Sequence, residues 1–287
     1  SMSPELVKLV LIGGIILIVG AIGLRARPRD ALLLIENPAL GARAMLAMFV
    51  LVPIFVIAMT WVFPFDRPVR AALLALAIAP MPPILPNKEV KAGGDADYAI
   101  GLQVLATIVS IVLMPVMLWL LGRIYGDVLT FDPVKIGTTL LTTVGAPLAG
   151  GMMLGHFLPT QRDRLAAAAG KLGMAALAVG AVIILVAVWP AMGALIGSGV
   201  LWAAAAMIAF ALFVGHSFGG PGQGNRGALA VACAARHPGV AIALASTAFP
   251  VDTKAIIGAV LLYLLCNAFL TIPYVRWSNA KARQPES

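Results

Sequence analysis

Charge is scarce in this 287-residue chain: 11% of its residues are Asp, Glu, Lys or Arg, and only 12 are acidic. Such a composition cannot clothe a water-soluble globule of this length, so that class is excluded at the outset. Cysteine (2) and histidine (3) are rarer still. Cys233 and Cys266 both fall in apolar segments with no metal-ligand spacing, and read as packing residues rather than a disulfide or a metal pair. His156 and His216 have no second ligand at helical spacing, which leaves metal binding without a motif. The glycine-rich run Phe218-Gly219-Gly220-Pro221-Gly222-Gln223-Gly224-Asn225-Arg226 lacks the lysine of a phosphate loop and follows no strand, so it reads as a flexible hinge. No nucleophile, base and orienting group share a depth in the chain, and no nucleic-acid motif accompanies the net charge of +8. Enzyme and nucleic-acid binder are therefore not expected.

What the chain has in excess is hydrocarbon. Hydrophobic residues make up 61% of it and its mean hydropathy is +0.99. Stretches of about 20 apolar residues, enough to span a bilayer, follow one another with short polar joins. The expected fold is an all-α membrane protein of about nine transmembrane helices, near 5–24, 41–63, 71–93, 98–122, 134–157, 164–189, 191–215, 227–249 and 253–275. Ser1-Met2 resembles a tag remnant, and the apolar run after it lacks a cleavage-site pattern, so it counts as the first helix rather than a secretory signal.

An odd number of spans puts the termini on opposite sides. With the C-terminus inside, the cytoplasmic joins carry eleven Lys and Arg residues against six on the other face. The positive-inside rule thus predicts a bacterial inner-membrane protein with its N-terminus outside and its C-terminus cytoplasmic.

Two spans break the helical pattern. In the third, Ala79-Pro80-Met81-Pro82-Pro83-Ile84-Leu85-Pro86-Asn87-Lys88-Glu89 sets four prolines and an ionisable pair within the membrane. Each proline removes a backbone donor and clashes with the preceding turn, so no continuous helix survives there. In the eighth, Ala235-Arg236-His237-Pro238-Gly239 divides an apolar run in two. Broken helices at corresponding places in two halves of a chain are the mark of an inverted-repeat transporter, in which half-helix ends near the midplane face the substrate. Pro86 and Pro238 are placed to start the second half-helices, whose N-termini favour an anion.

The segment ILIVGAIGLRARPRD from Ile16 to Asp30, then Leu51-Val52-Pro53, Ala79-Pro80 and Gly94-Asp95 resemble the bile acid:sodium symporter family. The resemblance implies a panel domain and a core domain, the core holding two crossing broken helices, an architecture shared with auxin-efflux carriers. Carried onto this chain, the panel is 1–40 with 133–190, the core is 41–132 with 191–277, and 278–287 is a cytoplasmic tail. The family's sodium ligands do not carry over. Leu85-Pro86 stand where the family has Ser-Asn, Ala99 and Gln103 where it has hydroxyls, and Ala232, Arg236 and His237 where it has Glu, Gln and Asn.

A hard cation needs several oxygens, and a neighbouring guanidinium would oppose it by roughly 4 kcal/mol at about 4 Å in an effective dielectric near 20. The expectation is therefore a secondary transporter of a small organic anion without sodium coupling and without any other cofactor or metal. Its candidate substrate-binding residues are Asn87, Lys88, Glu89, Gln103, Arg236 and His237, and its crossover backbone is Pro86, Pro238 and Gly239. Arg236 is the fixed counter-charge in this reading; alternatively it pairs with Glu89 and locks the two breaks together. An unperturbed imidazole titrates between pH 5 and 8, which makes His237 the candidate for proton coupling. A sodium-coupled symporter, a passive channel and an anion-binding sensor on the same fold remain as alternatives. Partners beyond the anion and membrane lipids are not indicated, and the oligomeric state is not legible.

Overall fold

The computed structural model describes residues 4–26, 28–82, 96–126, 134, 137–138, 141–248 and 250–282. These residues are all-helical, with no strand among them. The order is α1 (Pro4–Arg25), α2 (Pro28–Glu36), α3 (Pro38–Val62), α4 (Arg67–Ile78), α5 (Ala96–Tyr125), α6 (141–157), α7 (Arg162–Leu195), α8 (Val200–Phe218), α9 (Gln223–Ala234), α10 (Pro238–Ala248) and α11 (Thr253–Ala282). Proline opens α1, α2, α3 and α10, where its missing N–H leaves no bond unmade. Among the described residues, two wider π-helical turns interrupt the pattern, Ala47–Leu51 within α3 and Leu141–Gly145 at the start of α6.

Six helical segments among the described residues are long and apolar enough to cross a membrane: α3, α5, α7, α8, α9 with α10, and α11. The protein is an all-α membrane protein, as its composition predicts. The seventh span differs in position from the sequence expectation. Pro190 reads as a boundary, yet α7 continues past it to Leu195, and α8 starts only at Val200. A proline near the end of a long membrane helix is tolerated. The break falls instead where Gly197 and Gly199 take φ of 104° and 84°, a left-handed region that favours glycine. The short helix α2, packed on α5, was also not foreseen.

Burial separates the helices by role. Only 17% of the most apolar stretch of α7 is buried inside the protein, against 78% of the α9–α10 stretch, so α7 is an outer wall and the broken pair is the interior. Helix α1 lies along α6 and α7, while α4 packs on α10 and α11, α8 on α9 and α11, and α3 on α4 and α8. The first of these groups is assembled through glycines. A Cβ added at Gly155 would stand 2.6 Å from the Leu24 carbonyl oxygen, and one at Gly173 2.8 Å from that of Gly14. Backbones this close leave no room for a side chain, the small-residue packing that membrane helices use where lipid supplies no hydrophobic drive.

Replacing Gly155 by Leu should therefore lower stability by about 1–3 kcal/mol through overpacking. The same change at Gly150, which faces open space, should be close to neutral. Thermal unfolding of the two variants in detergent distinguishes them.

Candidate functional site

The first break follows from missing amides. Continuing α4 beyond Ile78 would require N–H groups from residues 80, 82 and 83 to serve the carbonyls of Leu76, Ile78 and Ala79, and all three are prolines. Ala79 still donates to Ala75 at 3.0 Å, but its own backbone is extended, with φ −62° and ψ 142°. The second break has the same origin. Ala235 donates back to Val231 at 3.0 Å and then turns extended (φ −84°, ψ 131°), because Pro238 offers no amide to the Ala234 carbonyl and instead opens α10. At about 1.5 Å per residue, α4, α9 and α10 are each long enough to cross only half of the hydrocarbon.

The two extended stretches lie against each other. The His237 N–H donates to the Pro80 carbonyl at 2.8 Å, a direct backbone bond between the breaks. Beside it, the wholly buried side chain of Arg236 donates from Nη1 to the Ala79 carbonyl and from Nη2 to the Met48 carbonyl, each at 3.2 Å. Both acceptors were left open by prolines. The amide four residues after Ala79 is missing because residue 83 is proline. For Met48, the Val52 amide goes to Ala47 in the π-helical turn, and the next residue, Pro53, has none. Tyr263 of α11 completes the set by donating its hydroxyl to the Ala234 carbonyl.

His237 caps α10. Its carbonyl accepts the Ala241 amide at 3.1 Å, and its Nδ1 accepts the Val240 amide at 3.4 Å. Gly239 leaves space beside the ring: a Cβ there would lie 3.3 Å from His237 Cε1 and 3.6 Å from Ile15 Cδ1 of α1. The crossover thus borders the seam between α10 and α1.

Of the residues singled out in the sequence, Arg236, His237, Pro238 and Gly239 are brought together with Ala79 and Pro80. Pro86, Asn87, Lys88 and Glu89 lie outside the described residues. The ion pair found among the described residues joins Arg162 and Asp163 at 3.7 Å, so no described carboxylate neutralises Arg236. Gln103 is buried on α5, its Nε2 donating to Thr107 Oγ1 at 3.3 Å and its Oε1 without a partner among the described residues. Thr107 and Ser110 continue this buried polar face and bond back to their own helix. The spacing of 103, 107 and 110 was a visible helical signal that the sequence reading did not use. The carbonyls of Met48 and Ala79 and the hydroxyl of Tyr263 were missed as well. A proline-orphaned carbonyl can be counted from sequence, but its partner on a distant helix cannot.

A family model described as the Sodium Bile acid symporter family matches residues 12–192. The comparison with curated proteins returns no match.

Tyr263→Phe removes the hydroxyl that donates to the Ala234 carbonyl and should cost about 1–2 kcal/mol by leaving a buried acceptor unpaired. The loss is to be read from the detergent melting temperature, with Tyr274→Phe, at the half-buried end of α11, as the comparison.

Proposed function

Because the chain belongs to the sodium bile acid symporter family, we propose that it is a secondary transporter of a small organic anion in which Arg236 takes the place of a bound sodium ion. Membership makes it a multi-pass membrane protein of a transporter family; substrate and coupling are our reading. The observation that carries it is the buried guanidinium of Arg236, bonded to backbone oxygens from both the first break and α3. A sodium ion at a helix crossing would bind such oxygens. Here they are already occupied by a cation that is part of the chain, stays charged when buried, and repels a second cation nearby. The anion is attracted by the same charge, aided by the N-terminus of α10. Alternating access moves it across, with the N-terminus outside and the C-terminus in the cytoplasm of a bacterium. The bland alternative, in which Arg236 only ties the breaks together, is separated from this one by its lack of effect on anion binding.

Sodium coupling is the second reading, favoured by the family itself. The discriminating measurement is the melting temperature of the purified protein with a panel of organic anions in sodium and potassium buffers of equal ionic strength, since a ligand of the folded state must stabilise it. Equal stabilisation in both salts is expected, and stabilisation that requires sodium would sink the proposal. Arg236→Gln should lower the unliganded melting temperature, because the shorter side chain cannot serve both the Ala79 and Met48 carbonyls, and should abolish the anion effect in the protein that still folds.

Proton coupling through His237 is not part of the proposal. Protonating Nδ1 would break its bond to Val240 and uncap α10. Uptake into proteoliposomes driven by the anion gradient alone should therefore stay flat from about pH 5.5 to 8, the range across which a free imidazole titrates. A bell or a step in that range overturns it.

A further inference from the structure

Away from the crossover, a cavity of about 440 Å³ lies where α1 and α6 end and α7 begins. Backbone contacts fix its shape. Gly155 lines it, and a Cβ there would stand 2.6 Å from the Leu24 carbonyl oxygen, so α1 and α6 meet at the cavity with no side chain between them. The turn that follows α6 is closed on itself, the Leu158 carbonyl accepting the Gln161 and Arg162 amides at 3.1 and 3.0 Å. No rearrangement is needed to form the cavity.

Its lining is of two kinds. Met152, Met153 and Phe157 of α6 supply apolar surface, and Met153 and Phe157 are 62% and 72% exposed beside the start of the membrane helix α7. Arg162 and His156 line the same cavity, and among the described residues no carboxylate does. Asp163 stands 3.7 Å from Arg162 Nε, but its side chain is 82% exposed, so water screens that pair and leaves the guanidinium able to attract another anion. A free phosphate would leave Phe157 and Met153 unused, and a purely apolar molecule would leave Arg162 unused. A zwitterionic headgroup would bring its own cation to a place that offers it no carboxylate.

We propose that this cavity holds an anionic phospholipid, with its phosphate on Arg162 and the first carbons of its chains against Met153 and Phe157. Basic pockets between the ends of membrane helices suit such headgroups, since the cation sits at headgroup depth and the apolar walls continue into the hydrocarbon. The site is separate from the crossover and does not depend on what the protein transports. A lipid held there fastens α1, α6 and α7 to one leaflet.

The test uses the full chain, delipidated in a neutral detergent, with dioleoylphosphatidylglycerol as probe. Zwitterionic dioleoylphosphatidylcholine and water-soluble glycerol 3-phosphate serve for comparison. Phosphatidylglycerol should raise the melting temperature, as a ligand of the folded state must, and the other two at the same concentration should not. Arg162→Gln should melt as before without lipid and bind phosphatidylglycerol about tenfold more weakly, as for loss of one bond to a charged group. Met153→Glu, which sets a carboxylate at an exposed position of the wall, should weaken it several-fold. Arg164→Gln makes the same charge change at an exposed residue outside the cavity and should leave the affinity intact. Equal losses in the Arg162 and Arg164 variants mark diffuse attraction to a basic surface and overturn the site. So do unchanged affinity in Arg162→Gln or Met153→Glu, equal stabilisation by phosphatidylcholine, or no shift with phosphatidylglycerol. Equal stabilisation by glycerol 3-phosphate overturns the lipid in favour of a free phosphate.

Discussion

The structure turns on carbonyl groups that proline leaves without a donor. In hydrocarbon no water is at hand to satisfy them, so each must be met by protein. Pro53 and the π-helical turn release the Met48 carbonyl, Pro83 releases that of Ala79, and Pro238 releases that of Ala234. Arg236 answers the first two and Tyr263 the third, from other segments of the chain in every case. The prolines that end α4 and separate α9 from α10 thus create two of the attachment points that hold the breaks together, and Pro53 within α3 creates the third. Chain discontinuity and tertiary cohesion have one cause here.

This explains why the α9–α10 crossing is the most enclosed of the six described membrane spans and not a weak spot among them. The helices α9 and α10 are short, and neither could stand alone in a bilayer. Their burial between α4, α8 and α11 gives their ends access to side chains, while α7 presents most of its surface outward. The glycine-lined contacts of α1 with α6 and α7 continue into the same core through the packing of α7 on α11, where Gly258 meets Met192 and Leu195, and Gly239 meets α1 at Ile15. The candidate site lies beside this contact of α10 with α1 because α10 begins there.

The breaks themselves were legible in the sequence, since a proline cluster in an apolar run admits few other interpretations. Arg236 and His237 were legible for the same reason: ionisable residues at membrane depth are rare enough to stand out. Pro190 misled, because a proline close to the end of a long helix interrupts little, whereas the glycines at 197 and 199 supply the actual turn. Gln103 was singled out and is buried, but its neighbours Thr107 and Ser110 on the same face were not singled out, because hydroxyls in membrane helices so often bond back to their own turn, as these two do. The acceptors of Arg236 were out of reach. They are main-chain atoms of Met48 and Ala79, residues whose side chains advertise nothing, and only three-dimensional proximity identifies them.

The covalent attachment of Arg236 has a thermodynamic consequence. An ion that binds from one side of a membrane and leaves on the other contributes the free energy of its own gradient to the cycle. A guanidinium fixed to the backbone visits no second compartment, so its electrochemical potential is the same at the end of every turnover as at the start. It can lower the energy of a bound anion or hold two helices in register, but it supplies no net work, and the direction of any movement past it is set by other gradients alone.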